Sequence, residues 1–214
     1  MPHRWFGYLK QSSGQARVVR YLAVLLLLAA CGKTPQLAKL PNDAVILAFG
    51  DSLTFGTGAT PETSYPAVLE QLIGRRVVAA GVPGEVTAEG LERLSDVLDE
   101  EQPKLLILCH GGNDLLRQTG EAKAEANLRA MIALAKAKGI QVLMVAVPKP
   151  GLTLSAPAYY EKIAEELNLP IETGVLRNIL SSSSLKSDQV HPNAAGYRKM
   201  AEEIAELLKS AKAI

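Results

Sequence analysis

Apolar and polar positions follow two rhythms along this chain. Apolar runs fill residues 44–49, 104–109 after its leading Lys104, and 140–147 with Gln141 as its one polar member, and a weaker run covers 76–80. Runs of this length predict strands buried on both faces. A further weak strand is predicted near 171–176. Between them the apolar positions recur at helical spacing. Residues 64–73 predict a helix stopped by Gly74, and 87–98 another with Leu91, Leu94 and Leu98 on one face. The strongest, 121–138, aligns Leu128, Met131, Ile132 and Ala135 ahead of a stop at Gly139. Residues 159–167 predict a short helix. Residues 194–212 predict a long one with Tyr197, Met200, Ala201, Ile204, Leu207, Leu208 and Ala211 along its buried stripe. The tract 181–184 is four serines and reads as a flexible loop. Strands alternating with helices imply an α/β domain with parallel pairing and helices on both sheet faces. Such sheets bind ligands beyond the carboxyl ends of their strands.

The first thirty residues break this pattern. Residues 1–20 carry Arg4, Lys10, Arg17 and Arg20 and no acid, and 21–30 are apolar. That run is too short to cross a hydrocarbon core of about 30 Å as a helix. A basic segment, a short apolar run and small residues read as a secretory signal. Leu28-Ala29-Ala30-Cys31 resembles the lipobox of bacterial lipoproteins. The resemblance implies cleavage before Cys31 and lipid attached to it, and several acyl chains anchor far more firmly than one. Gly32, where aspartate would favour inner-membrane retention, points by analogy to the outer membrane. Residues 32–43 contain two prolines and no periodicity, and read as a tether reaching roughly 40 Å when stretched. The expected organisation is a signal peptide over 1–30, a lipidated cysteine and tether over 31–43, and one domain over 44–214.

Composition narrows the chemistry. The chain has 214 residues, 48% hydrophobic and 21% charged, an ordinary globular balance. Its net charge is +1, from 23 basic and 22 acidic residues. Loss of residues 1–30 leaves 19 basic residues and a net charge of −3. No basic stripe marks a nucleic-acid surface. Two cysteines exclude a disulfide framework and a zinc site built on paired Cys-x-x-Cys motifs. Three histidines leave few candidates for a general base, and His3 falls in the signal.

Three blocks that carry candidate chemistry follow the strands or precede the last helix. Strand one runs into Gly50-Asp51-Ser52-Leu53, strand three into Gly111-Gly112-Asn113-Asp114, and Asp188-Gln189-Val190-His191-Pro192 comes before the last helix. A serine hydroxyl is a weak nucleophile until a base stands beside it. His191 has Asp188 three residues before it, where a carboxylate can orient an imidazole. His110 directly follows Cys109. Adjacent strand residues point to opposite faces, so His110 reads as structural.

Together Gly50-Asp51-Ser52-Leu53, Gly84, Gly112-Asn113-Asp114 and Asp188-x-x-His191-Pro192 resemble the GDSL, or SGNH, hydrolases, in family order and spacing. The closest look is to the small bacterial arylesterase, acyl-thioesterase and lysophospholipase group, supported by Gly90-Leu91-Glu92-Arg93-Leu94 and Asn193-Ala194-Ala195-Gly196-Tyr197. The resemblance implies a three-layer α/β/α, flavodoxin-like fold around a five-stranded parallel sheet. It assigns Ser52 as nucleophile, His191 as base and Asp188 as its orienting acid. It assigns the oxyanion hole to the Ser52 and Gly84 backbone N–H groups and the Asn113 side-chain amide. Asp51 and Asp114, though in the matched blocks, read as loop organisers. Ala79 departs from the family pattern, which commonly has asparagine there, and so bears on the rigidity of the loop that follows. Pro83 lacks an N–H, leaving Gly84 as the donor of that pair.

The expected protein is therefore a monomeric serine esterase, lipid-anchored through Cys31 and facing the periplasm. It acts on a small-molecule or lipid ester or thioester and needs no metal or organic cofactor. Leu53, Leu115, Leu116, Leu152, Leu154 and Val190 are candidates to line an acyl pocket, and the Pro- and Gly-rich loop 148–158 to border it. Carbohydrate O-acetyl ester hydrolysis ranks second, because the only tryptophan, Trp5, lies in the signal. The alternative of another class is a non-catalytic lipoprotein that binds a partner in the envelope.

Overall fold

A computed structural model describes residues 34–151 and 153–214. Five strands form one parallel sheet: β1 (Ile46–Gly50), β2 (Val77–Gly81), β3 (Leu105–Cys109), β4 (Gln141–Val145) and β5 (Ile171–Glu172), in the order β2-β1-β3-β4-β5. Every residue of β1 and β3 is buried, as their unbroken apolar runs require of central strands covered on both faces. β2, at the sheet's edge, is only partly buried.

The chain leaves β1 for β2 on one side and reaches β3 on the other. The topological switch point therefore lies between the carboxyl ends of β1 and β3, where a crevice opens.

Eight α-helices are present among the described residues: α1 (Ser52–Phe55), α2 (Tyr65–Ile73), α3 (Thr87–Glu101), α4 (Gly112–Arg117), α5 (Glu121–Ala137), α6 (Tyr159–Leu167), α7 (Val175–Ser181) and α8 (Ala194–Ser210). They pack in two groups. α2 and α7 lie against α8, whereas α5 packs on α3 and α6. This gives the three layers expected. Helix ends follow local chemistry. Gly74 closes α2 in the left-handed conformation at φ 61°. The Asn193 side chain caps α8 by accepting the Gly196 N–H.

Two segments depart from the sequence reading. The weak strand expected over 171–176 ends at Glu172, and Val175 begins a helix instead. The Glu172 carboxylate accepts the N–H groups of Gly174 and Val175 at 2.9 and 3.0 Å, which turns the chain and starts α7. α7 then buries Val175, Leu176, Ile179 and Leu180 at helical spacing. Ser181 is its last residue, and the Asn193 side chain holds the Ser184 carbonyl, so the serine tract is tied at both ends.

The tether expected over 31–43 is docked from Leu37 onward. Leu37 and Leu40 donate to the carbonyls of Ala211 and Ala213, both at 2.8 Å, and Leu40 is buried. Gln141 Nε2 donates to the Ala38 carbonyl, and Arg75 reaches the Pro41 carbonyl. Bonds to the main chain of the strap, with Ala211 and Ala213 and from the Gln141 and Arg75 side chains, fix it beside the amino ends of β2 and β4. The compact unit accordingly spans Pro35–Ile214. The signal peptide over 1–30 and the lipidated Cys31 lie outside the described residues. No helix among the described residues is long and apolar enough to cross a membrane.

Candidate active site

β1 ends at Gly50, where a Cβ would run into the Cys109 carbonyl of the neighbouring strand. The chain can then turn sharply into α1. Asp51 caps that helix, its carboxylate accepting the Leu53 N–H at 3.0 Å. Burial pushes the Asp51 carboxyl above its ordinary range, against the Leu53 hydrogen bond. Ser52 is thereby set as the first helical residue, facing the crevice.

The loop 187–193 brings the base across. One Asp188 oxygen accepts the N–H groups of Val190 and His191, both at 2.8 Å, in a tight side-chain turn. The other oxygen lies 2.7 Å from His191 Nδ1. His191 Nε2 stands 3.0 Å from Ser52 Oγ. Burial alone would raise the Asp188 carboxyl, but the His191 ring and the two backbone donors outweigh it and hold it below the ordinary carboxylate value. A hydroxyl, an imidazole and an anionic carboxylate thus form one line, the arrangement that moves a proton off a nucleophile.

The expected oxyanion donors meet at the same place. Gly84, after β2, adopts φ 83°, a left-handed conformation that favours glycine. Neither its N–H nor that of Ser52 has an acceptor among the described residues. Asn113 Nδ2 donates to the Glu85 carbonyl at 2.9 Å and lies 3.4 Å from Asp51 Oδ2. The second distance exceeds the usual range of about 2.7–3.2 Å, so the Asp51 contact is the weaker of the two. Ser52, Gly84, Asn113 and His191 all line one cleft of about 250 Å³.

Its remaining walls are mostly apolar. Leu53, Leu116, Leu154 and Val190 line it as expected; Leu115 does not, and Leu152 lies outside the described residues. Pro148 and Pro150 bring the 148–158 loop to its border. Val147 and Leu180 also line it: the sequence places Val147 within a strand, and Leu180 falls between the strand expected over 171–176 and the serine tract 181–184, in a helix that the pattern does not predict.

The residues read as structural are so placed. Asp114 accepts the N–H and hydroxyl of Thr87, both at 2.8 Å, tying the start of α3 to α4. His110 is fully buried, and both its ring nitrogens are already bonded. Burial pushes the Cys109 thiol well above its ordinary value. Ala79 is exposed on β2, in an outer groove with Phe55, Ala59 and Ala67, and does not line the cleft. Among the described residues no group of three or more His, Cys, Asp or Glu side chains could hold a metal ion.

Residues 48–199 match the model of the GDSL-like lipase/acylhydrolase family. The chain belongs to that family. Membership makes it an ester-hydrolysing serine enzyme. It is 28% identical to esterase TesA of Pseudomonas aeruginosa over 197 residues, covering 86% of this chain and 97% of that one. It is equally similar to an arylesterase of Vibrio mimicus, 28% identical over 202 residues and covering 89% and 98%. A thioesterase 1/protease 1/lysophospholipase L1 of Escherichia coli is 27% identical over 172 residues, covering 77% and 83%. Among solved structures, TesA superposes with a TM-score of 0.70 at 28% identity, covering 78% of this chain and 99% of TesA. AlinE4, an SGNH-hydrolase family esterase, gives 0.62 at 31% identity, with 81% and 98% covered.

Proposed function

We propose that Ser52, His191 and Asp188 hydrolyse carboxylic esters and thioesters through an acyl-enzyme. The observation that carries this reading is the unbroken line from Ser52 Oγ through His191 to Asp188, at 3.0 and 2.7 Å, inside an apolar cleft. Ser52 Oγ gives its proton to His191 Nε2 and bonds to the substrate carbonyl carbon. The carbonyl electrons move to oxygen, which the Ser52 and Gly84 N–H groups and the Asn113 amide stabilise. Collapse breaks the bond to the alcohol or thiol, which leaves with the proton from His191. Water then gives a proton to His191 and attacks the acyl-enzyme, releasing the carboxylic acid and restoring Ser52. Asp188 holds the ring orientation and stabilises the transient imidazolium.

The lining favours an acyl chain over a sugar. Val147, Leu154, Leu180 and Val190 are apolar, and Pro148 and Pro150 add no N–H donors. The names of the similar proteins span aryl esters, thioesters and lysophospholipids, and the last of these carries such a chain by definition. We also propose that Cys31 is lipidated and holds the enzyme to a bacterial membrane, facing the periplasm. The support for that placement is the sequence around residues 28–31.

The test is the rate on p-nitrophenyl esters of two to sixteen acyl carbons, with Ser52→Ala as control. A Ser52-dependent rate that peaks at six carbons or more is expected. Activity confined to the acetate would replace the acyl-lipid reading with glycan deacetylation. Activity unchanged in Ser52→Ala would remove the nucleophile assignment.

A further inference from the structure

Behind the cleft lies an ionic network that the proton relay does not use. The Glu85 side chain is 5% exposed, and its carboxylate is fully engaged. One oxygen accepts Arg93 Nε at 2.6 Å; the other accepts Arg93 Nη2 at 2.8 Å and His110 Nε2 at 3.0 Å. Burial alone would raise the Glu85 carboxyl, but the hydrogen bonds from Arg93 and His110 outweigh it and keep it below its ordinary value. His110 Nδ1 accepts the Gly111 N–H at 2.9 Å, so the ring proton is on Nε2 and points at Glu85.

The network is fastened to three strand ends. Arg93 Nη2 also donates to the carbonyls of Gly50 and Ala80, at 3.3 and 3.0 Å, and its guanidinium lies 4.0 Å over the Phe49 ring. Tyr160 donates its hydroxyl to the His110 carbonyl at 2.7 Å. Gly90 leaves room for the imidazole, since a Cβ there would run into His110 Nε2. From this fixed point two chains lead to one amide. The Glu85 backbone carbonyl holds Asn113 Nδ2, and His110 begins the turn that carries Asn113.

We propose that Glu85, clamped by Arg93 and His110, is a positioning residue that aims the Asn113 amide at the developing oxyanion. The proposal rests on the reading of Asn113 as an oxyanion donor. Its logic is geometric. Such a donor acts only if held where the charge forms, and a misplacement of about 1 Å can cost on the order of 100-fold. A flexible loop carbonyl would not hold Asn113 that well. A carboxylate with three charge-assisted or buried hydrogen bonds, two of them from a planar guanidinium fork, fixes its own backbone as well as its side chain. The network also supplies a rigidity to the 82–86 loop that is independent of Ala79.

The test is a double-mutant cycle on the full chain with a p-nitrophenyl ester, reading kcat, KM and the thermal midpoint. Asn113→Ala is expected to lower kcat about 100- to 1000-fold with little change in KM. Glu85→Gln keeps the shape and the backbone carbonyl but loses the charge. It is expected to lower kcat by about tenfold or more in the native background, at a temperature where it remains folded. In the Asn113→Ala background it should cost no more than about threefold, because its target is gone. Arg93→Lys keeps the charge without the fork and should show the same dependence on Asn113. It stands in should Glu85→Gln fail to fold. Wild-type kcat in both Glu85→Gln and Arg93→Lys, or losses that multiply in full with Asn113→Ala, would overturn the positioning role while leaving Asn113 as a donor. Wild-type kcat in Asn113→Ala would overturn the donor assignment itself, and the positioning role with it.

Discussion

Two histidines in this molecule lean on carboxylates, and the two pairs are proposed for opposite uses. His191 meets Asp188 at 2.7 Å, and His110 meets Glu85 at 3.0 Å. The His191 side chain is 19% exposed at the cleft, and its second nitrogen faces the Ser52 hydroxyl. His110 is fully buried, and its second nitrogen is spent on the Gly111 N–H. Both carboxylates are held below their ordinary values, so the acid partner does not distinguish the pairs. What does is the remaining nitrogen. A histidine–carboxylate pair becomes a base only where that nitrogen is left for a nucleophile in a site that substrate can enter. With both nitrogens committed, the same chemistry makes a clamp.

Substitution breaks the comparison most forcefully at His191. His191→Gln is expected to lower kcat by roughly 10⁴- to 10⁶-fold, since nucleophile and base act as a unit. The thermal midpoint should change little, because His191 borders the cleft and not the core. Rates and melting curves on the same preparation check both halves. A large loss of stability with most activity retained would exchange the roles of the two histidines.

The smallest effect is expected at Ala79. The residue is exposed on the outer edge strand, paired in register with Ala48, and sits in a groove apart from the cleft. Ala79→Asn should change stability by no more than about 0.5 kcal/mol and kcat by less than about twofold. A tenfold gain in kcat would mean that the edge strand, and not the Glu85 clamp, limits the order of the 82–86 loop.

How far sequence reads through to structure differs with the kind of signal. β1, β3 and β4 announce themselves because burial on both faces demands near-continuous apolar runs. The long helices do so because one buried face imposes a period on many residues. α1 and α4, which present Ser52 and Asn113, span four and six residues and are too short to show any period. α7 was hidden because its start is set by the Glu172 carboxylate and by β-branched Val175, both of which suit a strand as well. The strap from Leu37 to Leu40 is held by main-chain bonds to Ala211 and Ala213, which no side-chain pattern records.

At the site, Ser52, Gly84, Asn113, Asp188 and His191 could be named from four short blocks; the fold brings four of them to one cleft and sets Asp188 behind His191. Glu85 and Arg93 could not be paired in advance. Eight positions apart, one in a loop and one on a helix, they meet only through the turn after β2. His110 reads as structural from its place beside Cys109, although β3 ends at Cys109 and it is the bonds to Glu85 and Gly111 that hold the ring.

The most direct test of the proposed relay is covalent. The protein is treated with a fluorophosphonate, which bonds to an activated serine and releases fluoride, and the labelled peptide is found by mass spectrometry. A single adduct on the peptide containing Ser52, formed in step with loss of esterase activity and absent from Ser52→Ala, is the expected result. Esterase activity that survives with Ser52 fully labelled, or inactivation with the adduct on another residue, would contradict it.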